Sequence, residues 1–230
     1  MSKLKKGIFV AGTGTDIGKT YVTALIVKKL AQHGLNAGYY KAALSGAEER
    51  NGKFIPGDAE YVRTVSGINQ DLSQMVSYVY KNAVSPHLAA KIEGNPVRLE
   101  KVVSDYKAVQ NDYDYVTVEG SGGIVCPIRI DDDEQIMLED IVRVLNLPVL
   151  IIADGGLGTI NSVVLTCEYI KRRGIPIKGI ILNNFDSKSV MHRDNKAMIE
   201  QLTGICVVGE VECGGDDINI GADELAALYD

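Results

Sequence analysis

The chain has 230 residues, 46% hydrophobic and 23% charged, enough to bury a sizeable core and too patterned for a disordered, collagen-like or coiled-coil protein. Lys+Arg 24 against Asp+Glu 30 leaves a net charge of −6 without a basic stripe, so no nucleic-acid partner is expected. Cys126, Cys167, Cys206 and Cys213 form no CxxC pair and join no histidine cluster, which reads as reduced thiols rather than a zinc site or a disulfide framework.

Lys3, Lys5 and Lys6 precede an apolar run over residues 8–11 that stops at Gly12, too short for a secretory leader. No other stretch approaches the length of a membrane span, and the expectation is a cytoplasmic protein with no membrane partner. The run at 8–11 instead reads as a buried strand. It leads into Gly12-Thr13-Gly14-Thr15-Asp16-Ile17-Gly18-Lys19-Thr20 and then a helix with a stripe at Val22, Leu25, Ile26 and Leu30. Strand, glycine-rich loop, Gly-Lys-Thr and helix together make a phosphate cradle. Glycines let successive N–H groups and the helix start face phosphate oxygens, the lysine reaches the β/γ-phosphates, and the threonine hydroxyl suits Mg²⁺. The strict pattern would place its first glycine at position 13; here Thr13 stands there, and Gly12 makes the loop one residue longer.

A second strand is expected over residues 37–41, closed by Lys41. Asp58 follows Pro56-Gly57 and opens a helical stretch, so it reads either as an N-cap or as a site carboxylate. Ser85-Pro86-His87 has the form of a helix start, with a substrate-pocket role as the alternative. A helical stripe follows at Leu99, Val102, Val103 and Tyr106, then a strand over 115–119 that ends at Glu119 before Gly120, Ser121, Gly122 and Gly123. A carboxylate at the carboxyl end of a parallel strand, beside a phosphate loop, can hold Mg²⁺ directly or through water. Asp131-Asp132-Asp133-Glu134 reads as a solvated loop, 137–145 as a helix and 149–153 as a strand. Gly155, Gly156 and Gly158 lead into a helix start at Thr159-Ile160-Asn161, whose helix ends in Lys171, Arg172 and Arg173 before Gly174. Strands at 177–182 and 207–211 follow, and His33 and His192 read as surface residues. Strands alternating with helices over the whole length predict an α/β protein with a doubly wound, mostly parallel sheet of the P-loop NTPase type, in one domain over residues 1–230.

The segments GTGTDIGKT (12–20), GYYKAALSG (38–46), GDA (57–59), SPH (85–87), VEGSGG (118–123), GLGTIN (156–161) and LNN (182–184) resemble, in order and spacing, those of the dethiobiotin synthetase family. The resemblance implies an ATP- and Mg²⁺-dependent ring closure in biotin biosynthesis: 7,8-diaminononanoate and CO₂ form a carbamate, the carbamate takes the γ-phosphoryl group, and the second amine closes a cyclic urea. It implies Lys19 and Lys41 as catalytic, and Thr20, Asp58 and Glu119 around Mg²⁺. Nucleotide contacts fall to Asp16, Ile17, Gly18, Lys19, Thr20, Tyr21, Asp58, Glu119, Gly120, Ser121, Gly122, Asn183 and Asn184, and substrate contacts to Thr15, Asp16, Ser45 and Asn161. A homodimer is implied, with Asn161 completing the partner subunit's site. Where the family has Lys-Pro this chain has Lys41-Ala42, and Asp16 stands in place of a glutamate one methylene longer. Two rival readings share the loop. An amide-forming ligase of the cobyrinic acid a,c-diamide synthase type would ordinarily append a glutaminase domain, for which the chain to Asp230 leaves no room. A partitioning-type ATPase switch would carry a lysine where this chain has Gly14.

Overall fold

The computed structural model describes residues 5–229, and Lys3 of the basic start lies outside them. Seven strands form the central sheet: β1 (Lys6–Gly12), β2 (Ala37–Ser45), β3 (Val76–Tyr80), β4 (Tyr115–Gly123), β5 (Val149–Asp154), β6 (Ile177–Asn183) and β7 (Val207–Glu210). Every neighbouring pair is parallel, in the spatial order β7-β6-β5-β1-β4-β2-β3. Successive residues of β1 alternate between two cores, as strand geometry requires. Ile8 and Val10 pack on one side with α1 (Lys19–Gln32), α2 (Gly57–Ser66) and residues of the C-terminal segment. Phe9 and Ala11 pack on the other with α4 (Pro86–Glu93), α5 (Leu99–Asp112), α6 (Leu138–Val144), α7 (Thr159–Arg172) and α8 (Val190–Thr203). Helices on both faces make the sheet doubly wound, and the near-continuous apolar strands are those of a sheet buried on both sides. The short helices α3 (Leu72–Met75) and α9 (Ala222–Ala226) complete the helical set.

Several elements differ from the sequence expectation. Strand β3 was not expected, since Val-Ser-Tyr-Val-Tyr is short and half polar; it pairs with β2 from Lys41↔Val76 to Ser45↔Tyr80. That pairing carries β2 four residues past Lys41, and β4 likewise runs past Glu119 to Gly123, so both side chains sit inside strands rather than at their ends. Two antiparallel hairpins were also unforeseen, Glu48–Arg50 with Lys53–Ile55 and Pro127–Ile130 with Gln135–Met137. The second is closed by the acidic run, with Asp131, Asp132 and Asp133 exposed and Glu134 half-buried, collared by Arg129, bonded to Asp131 (2.5 Å) and Glu134 (2.9 Å). No helix among the described residues is long and apolar enough to cross a membrane. All four cysteines are free thiols, Cys126 and Cys167 buried, Cys206 and Cys213 exposed.

Candidate active site

The loop after β1 delivers α1 with its first N–H groups unspent. Gly18 is the N-cap with φ 82°, no side chain caps the helix, and the first helical bond is Val22 N–H to Gly18 C=O at 2.9 Å. The amides of Lys19, Thr20 and Tyr21 therefore point out of the helix start with its positive dipole end, which is what an anionic phosphate requires. Gly18 is needed twice over. Its φ belongs to the left-handed region, and an added Cβ would lie 2.1 Å from Asn183 Nδ2. Asn183, almost fully buried, donates that Nδ2 to the Ile17 carbonyl at 3.0 Å, so the end of β6 buttresses the phosphate loop. Its Oδ1 is buried and has no partner among the described residues.

A cavity of about 300 Å³ lies over this loop, at the carboxyl ends of β1, β4 and β2. Thr15, Asp16, Gly18, Lys19, Thr20, Tyr21, Lys41, Ser45, Asp58, Glu119, Ser121 and Gly122 line it, together with Leu44, which sequence reading did not single out. At its floor the Lys41 ammonium donates to Asp58 Oδ2 at 2.5 Å and to Glu119 Oε1 at 2.8 Å. Lys41 and Glu119 face each other because the two residues are in register across β2 and β4. The Thr20 hydroxyl donates its proton to the same Oε1 at 2.8 Å, which leaves the hydroxyl lone pairs for another partner. Asp58 is not the helix cap: α2 starts at Gly57 with Pro56 as N-cap, and the Asp58 side chain turns inward to Lys41.

Electrostatics separates the two lysines. Burial pulls the Lys19 ammonium below the ordinary lysine value and outweighs the attraction of Glu119. Burial acts the same way on Lys41, but there Glu119 and Asp58 together win and hold its proton well above the ordinary value. Burial also opposes ionisation of Asp58, and Lys41 overcomes it, so this carboxyl lies below its usual range. Cys126 adjoins the same charges; burial pushes its thiol up despite Lys19 and Lys41, leaving it a poor nucleophile.

Thr20, Asp58 and Glu119 supply hard oxygen donors of the kind Mg²⁺ takes, one or two carboxylates beside a hydroxyl, with phosphate oxygens and water completing the shell. No cluster of three or more His, Cys, Asp or Glu among the described residues could hold a metal alone. The three oxygen donors fit a hard cation that takes its remaining ligands from phosphate and water.

Other expected residues lie off the cavity wall or spend their polar atoms on the protein itself. The Cβ position of Gly120 is filled by Phe9 and Leu138 at 2.9 and 3.1 Å, which makes it a packing glycine. Ser121 lines the cavity but spends its hydroxyl on the Ala43 carbonyl at 2.8 Å. Asn184, at φ 53°, donates to Asp154 Oδ2 at 2.7 Å and ties the end of β6 to β5. Asn161 is exposed in the first turn of α7, where neither it nor Thr159 caps the helix. Pro86 occupies the first position of α4 as the helix-start reading expects, without a side-chain bond from Ser85. His87 lines a separate cavity with Lys91 and Arg129. His33 is exposed, whereas His192 is half-buried and accepts the Asp186 N–H at 2.9 Å.

Comparison with known proteins agrees with this geometry. The profile of a family described as an AAA domain matches residues 6–215. The chain is 48% identical over 227 residues to a protein of Clostridium botulinum (strain Eklund 17B / Type B) named ATP-dependent dethiobiotin synthetase BioD, with 99% of each chain covered. It is 51% identical to the protein of that name from Brachyspira hyodysenteriae, covering 90% of this chain and 92% of the relative. Among solved structures it resembles the MinC:MinD cell division protein complex of Aquifex aeolicus (TM-score 0.53, 14% identity, 90% and 81% covered). It also resembles chloroplast FtsY from Physcomitrella patens (TM-score 0.54, 17% identity, 99% and 66% covered). At such identities these two show the fold alone, that of P-loop NTPases.

Proposed function

The chain belongs to the ATP-dependent dethiobiotin synthetase family, and from that membership we propose how its own residues carry the reaction. It is an ATP-dependent ligase of biotin biosynthesis that joins CO₂ to 7,8-diaminononanoate and closes the cyclic urea of dethiobiotin, with release of ADP and phosphate. The α1 amides and Lys19 bind the β- and γ-phosphates, Thr20, Asp58 and Glu119 would hold Mg²⁺, and the diamine lies along Thr15, Asp16 and Ser45. When bound, the cation supplies charge neutralisation between the phosphates.

The observation that carries this reading is the bracketing of Lys41 by Asp58 and Glu119 in the cavity over the phosphate loop, on the same Glu119 oxygen that Thr20 bonds. An ammonium has three donors; two are spent on the carboxylates, and the third is free to meet an anion entering the cavity. A carbamate formed on the diamine is such an anion. Its oxygen attacks the γ-phosphorus as ADP leaves, Lys19 and Lys41 stabilise the charge of the transferring group, and the second amine attacks the carbamate carbon and expels phosphate. Positioning and preset charge carry the rate, with no protein nucleophile. The family resemblance assigns Asn183 to the nucleotide base; its Oδ1 is buried without a donor among the described residues, and its Nδ2 is spent on the Ile17 carbonyl.

The unit is one synthetase domain over 1–230 working in the cytoplasm as a homodimer, with Asn161 directed to the partner subunit's site. Leu157, 92% exposed, and Leu165, 62% exposed, lie four residues to either side of Asn161 and support an interface there. The direct test is phosphate release from ATP with and without the diamine and bicarbonate. Release that needs both is expected; release indifferent to the diamine would point to a nucleotide-gated switch.

A further inference from the structure

The Tyr39 hydroxyl donates to Glu119 Oε2 at 3.2 Å, and both side chains are sealed from solvent. Tyr39 lies two residues before Lys41 on β2, so the two side chains leave the strand on one face and reach the same carboxylate. A carboxylate offers about four acceptor sites. Glu119 spends both on Oε1, for Thr20 and Lys41, and one on Oε2, for Tyr39. One acceptor site is left, on Oε2 of a residue that lines the cavity. The last torsion of a glutamate has a broad, soft preference, so a carboxylate held at one oxygen alone would turn easily. Tyr39 holds the other.

Tyr39 is itself pinned from outside its strand. On the β3 side, pairing with β2 begins only at Lys41, leaving the backbone of Tyr39 without a strand neighbour there. Gln70, buried between α2 and α3, fills the gap: its Oε1 accepts the Tyr39 N–H at 2.8 Å and its Nε2 donates to the Tyr39 carbonyl at 2.9 Å. A side-chain amide thus extends the sheet by one residue where the phenol must be aimed.

We propose that Tyr39 is a positioning residue of the metal–nucleotide site: pinned by Gln70, its hydroxyl fixes the orientation in which Glu119 meets the cation that accompanies the nucleotide. This rests on the reading of Glu119 as a metal-site carboxylate. The test is Mn²⁺ binding to the full chain in the presence of ADP, with free Mn²⁺ read by electron paramagnetic resonance. Tyr39→Phe keeps the ring and removes the hydroxyl; its Mn²⁺ dissociation constant is expected to rise about tenfold, the scale of one hydrogen bond to a charged group. Tyr229→Phe, which removes another buried hydroxyl bond on the same sheet face, to Thr117 at 2.6 Å, is expected to bind Mn²⁺ as the parent does. Parent-like binding by Tyr39→Phe, or equal weakening in both phenylalanine variants, overturns the proposal. Glu119→Gln separates the two levels: if it weakens Mn²⁺ binding while Tyr39→Phe does not, only the role of Tyr39 falls; if it too binds as the parent, the metal-site reading falls with it. Should circular dichroism show Tyr39→Phe unfolded, Gln70→Met takes its place, with a weakening of about two- to threefold expected and none contradicting.

Discussion

Lys19 and Lys41 are both cations in one cavity, yet they are held in opposite ways, and their replacement should fail in different ways. Lys19→Ala removes the grip on the β/γ-phosphates and is expected to lose ATP binding. Lys41→Ala is expected to keep most of it while turnover falls by a factor of about a hundred or more, the effect of deleting one preset donor to a developing charge. Calorimetry of ATP binding decides: equal loss in both variants would put Lys41 in the phosphate cradle. The titration directions give a second expectation. Lys19 releases its proton below the ordinary lysine value of 10.5 because burial outweighs Glu119, whereas Lys41 keeps its proton. Nucleotide affinity should therefore decline as pH rises from neutrality toward that value, since the neutral Lys19 amine no longer attracts phosphate. Affinity level through pH 10.5 would contradict it.

At the scale of elements, the loop depends on a close approach between β6 and the start of α1. Gly18→Ala would set a Cβ 2.1 Å from Asn183 Nδ2 at φ 82°. Chemical denaturation should show a loss of about 1–3 kcal/mol. Gly14→Ala, whose Cβ meets no heavy atom within 4 Å, is the comparison and should change stability little. Parent-like stability of Gly18→Ala would remove the buttress from the account. The same region shows what a sequence can disclose. Strand, loop and helix from Lys6 to Gln32 were legible because their chemistry is local: an apolar run, glycines, Gly-Lys-Thr and a helical stripe. Strand β3 was not, because Ser77 breaks its apolar run; nor was the continuation of β2 past Lys41, which depends on that distant partner. Asp58 could be read as a cap or a site carboxylate; the fold puts Pro56 at the N-cap and bonds the Asp58 side chain to Lys41. Tyr39 and Gln70 carried no signal at all. Their meaning lies in bonds to residues 80 and 31 positions away, and only the folded sheet brings those partners together.

For the whole molecule, the proposed homodimer makes a site that no single subunit completes. Mixing Asn161→Asp with Lys19→Ala should regain part of the activity that each variant lacks, since a hybrid dimer holds one site with both residues intact. No recovery despite demonstrated subunit exchange would count against a shared site. The chemistry itself has a more direct signature. If the carbamate is the group that attacks ATP, one of its oxygens leaves on phosphate when the ring closes. Turnover started in freshly dissolved ¹⁸O-bicarbonate, with ATP and the diamine, should yield inorganic phosphate carrying one heavy oxygen per ring closed, read by mass spectrometry before the label exchanges with water. Phosphate carrying only the oxygens of ATP and solvent would mean that water, not the carbamate, is the acceptor in this cavity.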